Sequence, residues 1–335
     1  LDALTPAAGG WARAIALVAV GTIAATLIGN LDAAPSPIAV ALLLGLALSP
    51  VIPLGEGGEV SKLGKVALRT GVVLLGFRIT VDDLVDLGAG TVALAVGISV
   101  AVLFATVWIG RRCAFGRRLS TLLGIGSAIC GASAVAAAGT TMEASEEETA
   151  YAIATVTLIG TVATFALPAI GGLMGLGDRD LGIWIGMMVH DVGQVVAAST
   201  AVGDTALTAA VPVKLVRVLL LVPVLLVLAA SSLARGPNGE ADRPAPIGVR
   251  RMYRLIPLFV ALFLAASIVS STGVIPDRLA EVAADVERVL FTAALFAIGV
   301  SVHLPTLRRI GARPAMVSAA VWSVACAATA LVLLA

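Results

Sequence analysis

Apolar blocks long enough to cross a lipid bilayer recur along this 335-residue chain from end to end, at residues 11–28, 89–109, 150–170, 206–233 and 312–335 among others. A hydrocarbon core about 30 Å thick needs about 20 apolar residues in helical form. Lipid offers no partner to backbone N–H and C=O groups, so such blocks fold as helices that satisfy themselves. Hydrophobic residues make up 59% of the chain and charged residues 13%, and the mean hydropathy is +1.05. That is about half the charge of an ordinary soluble domain. The blocks leave no stretch for a separate soluble domain. The expectation is an all-α polytopic membrane protein, with residues 1–335 forming a single transmembrane domain. The first block is long enough to span and is followed by others, so it reads as a membrane segment and not as a cleaved leader.

Eleven apolar segments can be drawn, at 11–29, 36–50, 61–79, 89–110, 119–140, 148–171, 181–200, 205–233, 252–272, 280–302 and 312–334. This predicts about 10 to 11 membrane segments. Basic residues gather in three connections: Arg111, Arg112, Arg117 and Arg118; Arg235, Arg243, Arg250, Arg251 and Arg254; and Arg308, Arg309 and Arg313. The positive-inside rule puts all three in the cytoplasm. Even numbers of segments separate them, so the assignment agrees with itself. It places the amino terminus inside, the carboxyl terminus outside, and the acidic stretch Asp82, Asp83, Asp86 outside.

The chain also echoes itself. A shift of 223 carries Val51-Ile52-Pro53 onto Val274-Ile275-Pro276, and Gly76, Leu84 and Gly88 onto Gly299, Leu307 and Gly311. Segments two to four thus match segments nine to eleven. An odd number of segments separates each pair, which gives the copies opposite directions, as in the inverted-topology repeats of secondary transporters. Residues 30–110 and 252–335 are then the repeat arms and 119–233 the core segments. A second shift, of 60, pairs segment five with segment seven. It aligns Ile125-Gly126 with Ile185-Gly186, and Cys130 with His190. If both segments span, they run parallel; if both are re-entrant or broken, they can enter from opposite faces.

Segment five holds Gly124, Gly126, Ser127, Cys130, Gly131 and Ser133 within ten residues. Glycine weakens a helix, and irregular backbone at membrane depth is tolerated where protein or a water-filled cavity meets it. Exposed N–H groups and hydroxyls suit an anion; close small-residue packing is the other explanation. Segment seven holds His190, Asp191 and Gln194 in an apolar run. Ionisable groups there are costly and mark functional sites by default, although a structural polar cluster would look the same. Segment eight carries Lys214 and Arg217, three apart and on one face. Two such cations cost at least about 2.5 kcal/mol each at membrane depth, so an anion or Asp191 is expected to neutralise part of that charge. Replacing Arg217 with Gln is then expected to weaken anion binding while leaving the protein folded. His303, Lys65, Arg69, Arg78, Glu281, Asp285, Glu287 and Arg288 fall nearer segment ends and read as interfacial charges or helix-pair salt bridges.

Other classes find little support. The net charge of +1 argues against a nucleic-acid partner. Cys113, Cys130 and Cys326 are odd in number and are expected as free thiols. No Walker loop, HExxH or zinc spacing is present, so neither an enzyme, a metal site nor a cofactor is expected.

Four stretches together carry a resemblance that covers nearly the whole chain: Leu74-Leu-Gly-Phe-Arg-Ile-Thr80, Gly126-Ser-Ala-Ile-Cys-Gly-Ala-Ser-Ala-Val135, Val189-His-Asp-Val-Gly-Gln-Val-Val196 and Lys214-Leu-Val-Arg217. The chain resembles the YeiH-type family of bacterial membrane proteins, described as sulfate exporters and grouped with the cation/proton antiporter and anion transporter superfamily. The resemblance implies inverted repeats, a scaffold with a moving core, and discontinuous helices that cross near the midplane. The family often has Glu where this chain has Asp191.

The reading that follows is a secondary active transporter of a small inorganic or organic anion, with sulfate or an organosulfonate as candidates. Ser127, Cys130, Gly131 and Ser133 offer backbone and hydroxyl donors, Gln194 a polar ligand, and Lys214 and Arg217 positive charge. His190 and Asp191 are the candidates for coupling to H+ or Na+. The expected setting is the bacterial inner membrane, with a homodimer left open. Two rivals remain at this stage: a cation/proton antiporter with Asp191 as ion ligand and Lys214 as counter-charge, and a non-transporting membrane scaffold or sensor.

Overall fold

A computed structural model describes residues 5–31, 36–52, 58–233, 258–301 and 311–335. Most residues of the second and third basic connections, together with Pro53, His303 and Leu307, lie outside the described residues. Within them the chain is helical and has no strand. Each of the eleven apolar segments corresponds to one helix or to a consecutive pair.

The helices are α1 (Thr5–Gly29), α2 (Pro37–Leu48), α3 (Glu59–Leu75), the short α4 (Val81–Asp86), α5 (Gly88–Arg112), α6 (Arg117–Ala128), α7 (Ala132–Met142) and α8 (Glu146–Leu173). They continue with α9 (Asp178–Met188), α10 (Val192–Val202), α11 (Asp204–Leu219), α12 (Leu221–Leu233), α13 (Leu258–Ser271), α14 (Asp277–Val300) and α15 (Arg313–Leu334). Local chemistry explains several starts. Ser36 accepts from the Ala39 N–H with Pro37 at the first helical position, and Ser145 and Glu148 form a reciprocal capping box ahead of α8. Among the described residues five stretches are long and apolar enough to span: Gly10–Gly29, Gly88–Arg112, Glu146–Leu173, Asp204–Ala230 and Arg313–Leu334. Val20, Ile23 and Leu27 on α1, Phe104 and Trp108 on α5, and Val324 and Leu331 on α15 are exposed. Apolar faces of that extent suit lipid, not water. The protein is an all-α polytopic membrane protein.

The helices pack as two compact units. The first contains α1 to α4, most of α10, the start of α11, and α13 and α14. Here α14 packs along α2 and α3, with Leu42, Val72, Leu75, Phe291 and Phe296 buried between them. The approach is close: a methyl added at Gly64 would stand 2.7 Å from the Ala297 Cβ, and one at Gly71 2.6 Å from the Phe291 ring. Small residues at such contacts let backbones meet, which drives packing where lipid removes the hydrophobic incentive. The second unit contains α5 to α9, the start of α10, most of α11, α12 and α15. The helices α5 and α15, drawn as parts of the repeat arms, therefore pack with core helices: α5 on α6, and α15 on α5 and α9.

Both internal echoes recur in the helix boundaries. The shift of 223 carries Pro37–Leu48 to 260–271, ending where α13 ends, and Glu59–Leu75 to 282–298, inside α14. Gly88 and Gly311, each just ahead of or at the start of its long helix, both take positive φ, +74° and +91°. The packing exchanges partners too. A methyl at Gly76, which ends α3, would meet the Phe263 carbonyl of α13 at 2.6 Å; one at Gly299 of α14 would meet the Leu42 carbonyl of α2 at 2.7 Å. The shift of 60 superimposes α6 on α9 to within one residue, and α7 on α10 with both ends coincident.

Candidate functional site

Segments five and seven are each a pair of short helices with a three-residue break. The first break is Ile129-Cys130-Gly131 and the second Val189-His190-Asp191. Cys130 and His190 are the middle residues. The first break needs glycine: Gly131 has φ +61° and ψ −132°, which a side chain makes strained. A methyl at Gly131 would stand 3.4 Å from the His190 carbonyl carbon, so the two breaks lie against each other within the second unit.

A helix break leaves its last carbonyls without intrahelical donors, and lipid supplies none. Side chains of α11 meet most of that need. The Lys214 Nζ donates to the Ile129 carbonyl at 2.8 Å and to the Val189 carbonyl at 2.9 Å, joining the two breaks. Arg217 serves both helices. Its Nε donates to the Ala128 carbonyl at 3.1 Å and to the Ser99 hydroxyl of α5 at 3.1 Å. One terminal nitrogen donates to the Ser127 and Ala128 carbonyls at 3.0 and 2.8 Å. The other donates to the carbonyls of Gly186, Met187 and Val189. Trp322 of α15 donates to the Met188 carbonyl at 2.8 Å, and the Gly131 N–H to the Gly126 carbonyl at 3.0 Å. The carbonyls of 126–129 and 186–189 are thereby all engaged. Lys214 is 0% exposed and Arg217 3%. Cations at helix C-termini also match the negative pole of the helix dipole. Carbonyl dipoles hold both cations by hydrogen bond, and the Asp191 carboxylate, one of the two partners expected from the sequence, adds a favourable charge beside Lys214.

The second halves begin differently. At α10 the Asp191 carboxylate accepts from the Gly193 N–H at 3.1 Å, and the Gln194 side-chain oxygen accepts from the Asp191 N–H at 3.2 Å. Asp191 thus caps the start of α10 through the second N–H, with Gln194 reaching back to the Asp191 N–H. The Gln194 amide also donates to the Thr157 carbonyl and the Thr161 hydroxyl of α8, each at 3.1 Å. The site expected to make Gln194 a ligand thus also makes it a strut between helices. At α7 the N-cap Gly131 has no side chain to offer, and the Ala134 N–H turns to the Cys130 thiol. Ser133 donates instead to the Cys130 carbonyl at 3.2 Å, with its hydroxyl 3.2 Å from the Cys130 thiol.

All nine residues singled out in the sequence lie on these two broken helices and α11. Ser127 sits in the last turn of α6, buried, with its hydroxyl lacking a partner among the described residues. His190 is 0% exposed. Its ring lies 6.2 Å from that of Trp322, and neither ring nitrogen has a hydrogen-bond partner among the described residues. The three cysteines are free, and no group of acidic, His or Cys side chains among the described residues could hold a metal. Sequence reasoning missed Ser99, Thr157, Thr161 and Trp322. The four-residue spacing of Thr157 and Thr161, which puts both on one helix face, is the signal that could have found that pair.

Comparison with known proteins agrees with the resemblance seen in the motifs. A family model described as Conserved hypothetical protein 698 matches residues 13–318. A UPF0324 membrane protein of Ralstonia nicotianae is 35% identical over 300 residues, covering 86% of this chain and 82% of the relative. A UPF0324 membrane protein of Corynebacterium glutamicum is 31% identical, covering 89% and 85%. The UPF0324 inner membrane protein YeiH of Escherichia coli is 32% identical over 304 residues, covering 89% and 84%. No solved structure matches.

Proposed function

Because this chain belongs to the Conserved hypothetical protein 698 family, which takes in the UPF0324 membrane proteins such as YeiH, we propose that it is a secondary active transporter of a small anion, with sulfate or an organosulfonate as the first candidates. One observation carries the reading: two helices break side by side, their carbonyl ends are bound by Lys214 and Arg217, and the amino end of α7 has at its N-cap a glycine with no side chain to offer. The positive pole and the Ala132 and Ser133 N–H groups of that end favour an anion, the Ala134 N–H being turned to the Cys130 thiol. The donors assigned to it are those two N–H groups, the hydroxyls of Ser133 and Ser127, and the neighbourhood of Cys130. An ammonium group has three donors, and two of those on Lys214 go to carbonyls; the third is assigned to the substrate. Arg217 is a positioning residue that holds the two breaks together. His190 and Asp191 are assigned to coupling with H+ or Na+, and Gln194 keeps Asp191 in place.

The setting follows the Escherichia coli relative, described as an inner membrane protein, with the amino terminus on the cytoplasmic side. The test is uptake of labelled sulfate by the purified protein in liposomes, with and without an imposed pH or sodium gradient. Gradient-driven uptake that is altered by His190→Ala and Asp191→Asn supports the reading. Movement of Na+ or H+ without any anion dependence points to a cation/proton antiporter. No flux of either kind across a panel of inorganic and organic anions sinks the transport reading.

A further inference from the structure

The first unit contains an ionisable cluster outside the paired breaks. Glu287 lies on α14 and is 1% exposed; of its two readings in the sequence, an interfacial charge or a helix-pair salt bridge, the structure shows the second, with Arg78. One carboxylate oxygen is 3.5 Å from an Arg78 nitrogen; the other has no hydrogen-bond partner among the described residues. Arg78 follows α3 and is shared. Its second terminal nitrogen lies 3.2 Å from the Asp204 carboxylate, which is 71% exposed. The cluster therefore holds two carboxylates and one guanidinium, and the closer pairing belongs to the solvated partner. A buried carboxylate with half an ion pair is expensive. One proton on the unpartnered oxygen makes the cluster neutral.

The surroundings add one weaker charge, that of Arg288. Arg288, next in the chain, is 62% exposed and pairs outward with Asp285 at 3.5 Å. The helices α2 and α13 carry no ionisable residue, while Arg13 of α1 and Lys62, Lys65 and Arg69 of α3 are exposed. Arg78 is the one charged group bonded to Glu287, while Arg288 and Asp204 act on it through space. Asp204 also opens α11, the helix that carries Lys214 and Arg217.

We propose that Glu287 is a proton-binding carboxyl of the transport cycle, with Arg78 as the partner that passes its charge state to Asp204 at the start of α11. The proton comes from water and adds to the free Glu287 oxygen. Arg78 then keeps its charge and its bond to Asp204 alone. This rests on the transport reading and extends it, since it makes the proton the coupling ion and puts its carrier away from His190.

Two measurements test it separately. Infrared difference spectra between acidic and alkaline buffer, taken on the whole protein in nanodiscs without substrate, report a protonated buried carboxyl directly. The wild type should show a carboxylic C=O band that titrates, Glu287→Gln should lose it, and Asp204→Asn should keep it. Gln retains the size of Glu and an oxygen for Arg78. A band unchanged in Glu287→Gln overturns the proposal whatever the transport assays give. In liposomes with labelled sulfate as the probe, Glu287→Gln should lose the response of flux to an imposed pH gradient. A full response retained in that variant also overturns the proposal. Wild-type protein with the infrared band but no flux of any anion counts against the transport reading and leaves proton binding by Glu287 supported.

Discussion

The two broken helices share their boundaries at a spacing of 60 residues, yet their second halves start in opposite ways. The start of α10 is closed by its own chain, with Asp191 on the Gly193 N–H and Gln194 on the Asp191 N–H. The start of α7 follows a glycine that has no side chain to offer. A carboxylate thus already occupies one of two equivalent positive poles. The capped pole illustrates what an anion does at a helix start; under the proposed function, the substrate anion does the same at the other. Two helix starts recur 60 residues apart, and the acidic residue at position 191 makes them unlike.

The largest effect is expected where both breaks depend on one side chain. Arg217→Ala takes the donors from the carbonyls of Ser127, Ala128, Gly186 and Met187 and should cost about 1–3 kcal/mol for each one left unsatisfied, read as loss of folded protein in detergent unfolding. Arg217→Lys should recover only part of it, because the ammonium lacks the planar fork. The structure therefore revises the expectation for Arg217→Gln, which should weaken folding and not anion binding alone. Next comes a direct attack on the asymmetry. Ser133→Asp places a carboxylate in the first turn of α7 and should reduce anion affinity at least about tenfold, or roughly 1.4 kcal/mol, with the fold retained. Unchanged sulfate binding in that variant would remove α7 from the site. The converse change, Asp191→Ala, uncaps α10 and should lower stability by about 1 kcal/mol, whereas Asn, itself a good cap, should cost less. The smallest stability effect belongs to Ser127→Ala. Removing a buried hydroxyl without a partner should be near neutral, within about 0.5 kcal/mol, so any fall in anion affinity there reports contact with the ligand. The relation between the larger repeats can be broken without a functional assay. Single cysteines at Gly88 and Gly311 should label from opposite faces of the membrane, and labelling from one face would end the inverted arrangement.

Much of this was legible in residues alone. Apolar runs located a helix or helix pair for each of the eleven segments, five stretches among the described residues being long and apolar enough to span. The shift of 60, with Cys130 under His190, located both breaks, because a helix that must stop at membrane depth has to be written with glycine and polar residues. What escaped were the backbone partners of the two core cations. Lys214 and Arg217 bind backbone carbonyls, and every residue carries a carbonyl, so no residue type betrays which ones lack a donor. The burial of Glu287 also escaped: the residue stands near the start of an apolar segment, but α14 begins at Asp277 and packs along α2 and α3, which buries it.

The bonds of α11 also bear on the order in which the chain can be completed. The carbonyls of Ser127, Ala128 and Ile129 take their donors from residues 85 to 90 positions later. A ribosome delivering the chain from the amino end therefore exposes the first break well before the side chains that satisfy it exist. Neither α6 nor α9, at 12 and 11 residues, is long enough to cross a bilayer alone. During synthesis both half-helices must wait, in the translocation channel or against earlier helices, until Lys214 and Arg217 arrive.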